Sequence, residues 1–85
     1  MSGGGFSFGV VIGERVTTQL GGLDHAQHDL LVMEMLGLAE DPLKKGQDLP
    51  GSPGQRMLGI GSAAAILYQV DAEARVVYVQ ELWVL

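Results

Sequence analysis

Few side chains in this sequence are equipped for chemistry, and their types narrow what that chemistry could be. Five carry a permanent positive charge: Arg15, Lys44, Lys45, Arg56 and Arg75. Such groups can hold a phosphate, or stabilise the extra negative charge of a phosphoryl transition state. Arg56 has two readings, a phosphate contact or a salt bridge to an acid such as Asp48. Lys44 and Lys45 either contact phosphate or form a solvated pair near a helix C-terminus, where the dipole favours them. Tyr68 could act as a general acid, but it alternates with Ile66 and Val70, which places it in or beside a core. His25 and His28 stand three apart, a spacing that can turn two imidazoles to one side of a helix for a metal. The plainer reading is a solvated helix start whose aspartates, Asp24 and Asp29, complement the macrodipole. No metal or other cofactor is expected. Gly59-Ile60-Gly61 lacks the following helix of a phosphate loop, and no Ser-His-Asp arrangement can be argued.

The acids outnumber these cations ten to five, giving a net charge of −5. A broad electropositive face, of the kind that displaces counterions from a nucleic-acid backbone, is excluded; a small local patch is not. The 85 residues suffice for one domain with a thin core, and the 47% hydrophobic content is too high for a disordered chain. There is no cysteine, so neither disulfides nor a thiolate metal site can contribute. No apolar run approaches the length of a membrane span, and no basic region precedes an apolar stretch as in a secretory signal. A cytoplasmic protein with no membrane partner is expected.

These candidates need elements to position them. Residues 1–5 (MSGGG) read as a flexible leader, and 6–85 as a single domain. Phe6 to Ile12 predicts a first strand, with Phe6, Phe8, Val10 and Ile12 sharing a face at period two. Glu14 to Leu20 is a short helix candidate, ended by Gly21-Gly22. A second helix starts at Asp24, an N-cap with Gln27 three residues on in a variant of the capping box. Leu31, Met35 and Leu38 form its apolar stripe, with Leu30 and Met33 beside it. Pro42 should stop it near Ala39 or Glu40. Leu43 to Gly54 is a turn-rich connector. Three strands follow: Arg56 to Ile60, Ala64 to Val70, and Val76 to Leu85. Asp71 to Ala74 makes the turn between the last two. Val77, Val79, Trp83 and Leu85 should line one face of the third, interrupted by Glu81. The order β-α-α-β-β-β predicts an α+β domain whose C-terminal strands are antiparallel, with two helices packed on one face of the sheet.

The succession of Leu38-Ala39-Glu40-Asp41-Pro42, Leu49-Pro50-Gly51, Arg56 and Ile66-Leu67-Tyr68-Gln69-Val70-Asp71 resembles the RelE/ParE superfamily of toxin–antitoxin toxins, over roughly Phe6 to Leu82. The resemblance implies the RelE/ParE fold and the toxin role in a bacterial type II toxin–antitoxin system. RelE-like members cut mRNA on the ribosome by attack of a ribose 2′-OH on the adjacent phosphate, which inhibits translation. It also implies a cognate antitoxin that lays a helix or extended segment across the domain's apolar surface. Arg56 falls where the family commonly has a sheet arginine, so the resemblance makes it the catalytic candidate. Lys44, Lys45 and Arg56 are then the nucleic-acid-binding candidates. Ala63-Ala64-Ala65 stands where many relatives have an aromatic–arginine pair, and alanine neither binds phosphate nor moves a proton. The chain stops at Trp83-Val84-Leu85, where relatives often continue into a basic tail. The resemblance therefore implies a toxin-like protein with weak or lost mRNA endonuclease activity, with ribosome and mRNA as its ancestral partners. The alternative is a non-catalytic binding module, such as a ParE-like gyrase binder or a self-associating homodimer. For either, Trp83 and Leu85 are the partner-binding candidates, as an apolar patch on the long last strand.

Overall fold

The computed structural model of the chain describes residues 7–62 and 64–85. The segment 1–5, Phe6 and Ala63 lie outside the described residues. The elements run β1 (Gly9–Ile12), α1 (Glu14–Gly21), α2 (His25–Gly37), β2 (Gln47–Asp48), β3 (Gln55–Ile60), β4 (Ala64–Asp71) and β5 (Val76–Val84). They build one five-stranded sheet in the order β1-β5-β4-β3-β2. β2 to β5 are antiparallel neighbours, joined by short connections, whereas β1 lies parallel to β5. A parallel pair needs a crossover between its strands. Here the helical hairpin is part of the chain between β1 and β5, and it covers one face of the sheet.

The core sits between that face and the helices. Val16 and Leu20 of α1 and Leu31 and Met35 of α2, with Leu38 just past it, meet Ile60, Ala64, Ile66, Tyr68, Val70, Val77, Val79 and Leu82 of the sheet. The strict alternation of burial along β4 is what a central antiparallel strand with one covered face requires. Gly13 caps α1, and its N–H donates to the Val79 carbonyl at 2.9 Å. The Gln19 amide donates to the Leu82 carbonyl at 2.9 Å, which ties α1 to the C-terminal half of β5. The Asp24 carboxylate accepts from the Gln27 backbone N–H at 2.9 Å, as its N-cap position predicts.

Five sequence expectations change. The first strand, expected from Phe6, starts at Gly9 and leaves Phe8 outside it, where the Phe8 N–H donates to the Ala39 carbonyl at 2.7 Å. The second helix ends at Gly37, earlier than Pro42 alone would force, because Ala39 and Glu40 donate back three residues, to Leu36 and Gly37, in a tightened last turn. Leu30 and Met33 lie outside the core stripe, on the exposed side of α2. The connector contains β2, a two-residue strand paired with Arg56 and Met57. Trp83 and Leu85 do not share the face of Val77 and Val79. Tyr68 pairs with Val79 but Leu67 pairs with Glu81, so Gln80 is an extra residue in a β-bulge. The bulge shifts the alternation by one, and Leu82 takes the buried position in place of Glu81.

Candidate functional site

With the helices on one side, the other side of the sheet is open to solvent. Period-two alternation assigns to this open face Gln55, Met57 and Gly59 of β3, Ala65, Leu67, Gln69 and Asp71 of β4, and Tyr78, Glu81 and Trp83 of β5. Gln80 joins them through the bulge, since its amide oxygen accepts from the Gln55 side chain at 2.9 Å across β4. Val11 extends the face beside Tyr78, and Gln47 beside Met57. The face has two shallow depressions of about 460 Å³ each. One lies over β2 to β4 and is lined by Gly46, Gln47, Leu49, Met57, Gly59 and Ala65. The other is flanked by Val11, Tyr78 and the Arg15–Glu81 ion pair, 3.2 Å apart.

No strand position of this face carries a lysine or arginine among the described residues. Its carboxylates are Glu81, paired with Arg15, and Asp71, which accepts from the Ala74 N–H at 3.0 Å in the β4–β5 turn. The rest is apolar or amide, apart from the Tyr78 hydroxyl. Such a surface can stack and bury apolar side chains and can hydrogen-bond through amides. It offers little to neutralise phosphate.

Arg56 takes the second of its two readings. It pairs with Tyr68 across β3–β4, on the helix-facing side, and its side chain is only 10% exposed. The Nε–H donates to the Lys45 carbonyl at 2.9 Å, Nη2 to the Gly46 carbonyl at 3.2 Å, and Nη1 to the Asp48 carboxylate at 2.5 Å. The planar fork thus folds the connector back onto the sheet. Its side chain is turned away from the open face, so the geometry gives Arg56 no access to a phosphate there.

Tyr68 is fully buried beside it. Its hydroxyl reaches the Lys45 carbonyl at 2.6 Å and the Pro42 carbonyl at 2.9 Å. Burial pushes the phenol pKa up, and the Arg56 guanidinium offsets part of that rise. Gly46 stands in the same knot with φ of +68°, where a Cβ would come within 2.5 Å of the Met57 carbonyl oxygen. Only glycine fits that backbone without strain.

The two lysines separate. Lys45 donates to the Gly37 carbonyl at 2.7 Å and caps the C-terminus of α2. Lys44 is 84% exposed, 3.9 Å from the Asp41 carboxylate. His25 and His28 both lean on Asp29, at 3.5 and 3.1 Å, on the solvated start of α2. Trp83 and Leu85 are exposed, Trp83 beside Ala65 on the open face. The residues that line the open face were mostly not singled out from the sequence. Their signal was there, as the odd partners of the apolar period in the last three strands.

No family model and no curated protein sequence matches the chain. Solved structures do. The RelBE2 toxin–antitoxin complex of Mycobacterium tuberculosis contains a chain that superposes with a TM-score of 0.84, over 99% of this chain and 98% of that one, at 20% identity. The isolated RelE toxin of E. coli matches with a TM-score of 0.78 over 92% of this chain and 84% of its own, at 22% identity. The archaeal RelE–RelB complex from Pyrococcus horikoshii gives 0.73, with 92% and 94% covered, at 19% identity. The chain has the fold of the RelE toxins.

Proposed function

We propose that this chain is the toxin-like member of a type II toxin–antitoxin pair, and that it works by binding rather than by cutting RNA. The fold it shares with RelE toxins, two of them solved in complexes with RelB-type partners, supports the first half. One observation carries the second. The open face of β3 to β5 has no strand position with a cationic side chain, and Arg56 is committed to the opposite side. Cleavage through a ribose 2′-OH needs a group to accept its proton, a group to protonate the leaving oxygen, and positive charge on the crowded phosphate. Tyr78 and Glu81 could move a proton, but Met57, Ala65, Leu67 and Gln69 bring no positive charge to the face, and Arg15 at its edge is paired with Glu81.

What the face does supply suits a polypeptide. Met57 and Leu67 are cross-strand partners, and Trp83 and Tyr78 lie diagonal to Leu67 on either side of Gln80 and Glu81; this apolar cluster, interrupted by one amide and one carboxylate, fits an extended or helical antitoxin segment. Trp83 is the anchor of that contact and Leu85 extends it. The ribosome and mRNA are then at most weak partners, and the site of action is the cytoplasm.

A translation reaction programmed with a defined mRNA and supplied with the purified chain tests the reading. Primer extension should show no new cleavage ends. An antitoxin-like peptide encoded next to the chain's gene should bind, and Trp83→Glu should weaken that binding at least about tenfold, as loss of a central aromatic anchor does. Ribosome-dependent cleavage by the unmodified chain would overturn the proposal.

A further inference from the structure

The sheet has two outer edges, and only one is guarded. On one side β2 is two residues long and carries the exposed carboxylate of Asp48. The other edge is β1, which has no charge, proline or bulge to turn a neighbour away. Its pairing with β5 fixes where its backbone points. The Gly9 N–H donates to the Arg75 carbonyl at 2.8 Å, and the Gly13 N–H to the Val79 carbonyl at 2.9 Å. Backbone groups alternate sides along a strand, so those of Val10 and Ile12 point outward, away from β5. They have no partner among the described residues. An outward row of backbone donors and acceptors is met by another extended backbone.

The free stretch says whose backbone that is. Before it, the Phe8 N–H is already taken by the Ala39 carbonyl at 2.7 Å; after it, Gly13 caps α1 and the chain leaves the sheet. Between these limits stands Gly9-Val10-Val11-Ile12-Gly13, a near-palindrome about Val11. Laid antiparallel on a second copy with a two-fold axis at Val11, it sets Gly9 against Gly13 and Val10 against Ile12. Val10 and Ile12 then form two hydrogen-bonded pairs, and all their outward N–H and carbonyl groups are satisfied. The side chains match as well. On the open face Val11 is 48% exposed beside Tyr78, 41% exposed, and the axis joins them into one apolar row, Tyr78-Val11-Val11-Tyr78. On the helix-covered face Val10 and Ile12 are only half-buried at the margin of the core, and their counterparts in the second copy extend that cover. This pairing closes with two chains, as an isologous interface requires. β1 against β2 of another copy would run head to tail, and β2 has two residues to offer.

We propose that β1 is a homodimer interface, where two copies join edge to edge into one continuous sheet with Val11 on the two-fold axis. The contact is small, so the dimer is concentration-dependent. The inference does not rest on the proposed antitoxin contact, since the open face of β3 to β5 stays uncovered in the dimer.

The absence of cysteine makes the axis directly testable. Val11→Cys should form an intermolecular disulfide under mild oxidation, because its two copies face each other as a non-hydrogen-bonded pair with Cα atoms about 4.5 Å apart. Tyr78→Cys should not, since three strand spacings, about 14 Å, separate its copies. In sedimentation velocity, the unmodified chain should dimerise with rising concentration. Val11→Lys should raise the dissociation constant at least about tenfold, because two ammonium groups then meet on the axis. Circular-dichroism melting should show Val11→Lys still folded, as its side chain points to solvent in the single chain. Amide exchange at Val10 and Ile12 should slow as the unmodified chain is concentrated. A chain that stays monomeric at every concentration would overturn the inference. So would a dimer indifferent to Val11→Lys, a disulfide from Tyr78→Cys as fast as from Val11→Cys, or Val10 and Ile12 amides that slow only with a different protein bound.

Discussion

Arg56 gives its guanidinium to the protein's own backbone. Three of its nitrogens reach the Lys45 and Gly46 carbonyls and the Asp48 carboxylate, and Tyr68 shares the Lys45 carbonyl. Removing it takes the guanidinium from the Gly46 carbonyl and leaves the Lys45 carbonyl only the Tyr68 hydroxyl, in a buried knot. Arg56→Ala should lower stability by about 2–3 kcal/mol, and Arg56→Lys by about 1–2, because an ammonium cannot reproduce the fork. Urea titration measures both. The Asp48 partner is mostly solvated, so the ion pair itself adds little and the carbonyl contacts dominate. Tyr68→Phe strips the hydroxyl from the same knot and should cost about 1–3 kcal/mol. It also has a pH signature. Burial raises the Tyr68 pKa above its ordinary value, so the folded state holds the phenol proton more tightly than the unfolded one. That stability is complete below pH 10 or so and is lost as pH rises through the raised value. Stability followed from pH 8 to 11 should therefore fall less steeply in Tyr68→Phe than in the unmodified chain.

At the scale of elements, the bulge in β5 decides which side chains reach the open face. Without it Glu81 would follow Val79 into the core; with it Glu81 and Gln80 share the open side and Leu82 enters the core. Deleting Gln80 should close the ladder without inverting anything, since Val79 and Leu82 keep their faces. The stability change should stay within about 2 kcal/mol, with one cooperative transition. Deleting Gln69, where β4 is regular, inverts half the strand and should abolish folding. Thermal melts of the two deletions separate these outcomes. The same bulge marks the limit of what was legible in the sequence. The alternation Ile66-Tyr68-Val70 and the cap at Asp24 are local, and both appear where they were read. The fate of Trp83 depended on one extra residue in a ladder, which leaves no mark in a period-two pattern. β2 was invisible for a related reason. Its two residues, Gln47 and Asp48, have no strand propensity and are held in place by Arg56 and by the turn at Gly46. The direction of Arg56 itself followed from its register with Tyr68, a non-local fact.

For the whole molecule, the net charge of −5 and an open face whose strand positions carry no cation act together against nucleic acid. Long-range repulsion slows approach, and no phosphate contact on the face offsets it. Single-stranded RNA should show no measurable binding to the purified chain by fluorescence anisotropy, even near 50 mM salt. The scaffold nevertheless has places where cations would fit. Ala65 and Leu67 are half-exposed neighbours on β4, beside the β2–β4 depression. Ala65→Arg with Leu67→Arg should fold, and should bind RNA with a log–log salt slope of about −1.4, two contacts at about −0.7 each for a single strand. Ala64→Arg is the matched control. Ala64 is buried against α2, so the same charge one residue away enters the core and should unfold the domain. A double variant that folds and shows a slope near zero would mean that Ala65 and Leu67 do not face the solvent side of the sheet. The contrast with Ala64 then assigns the fault to the face and not to the charge.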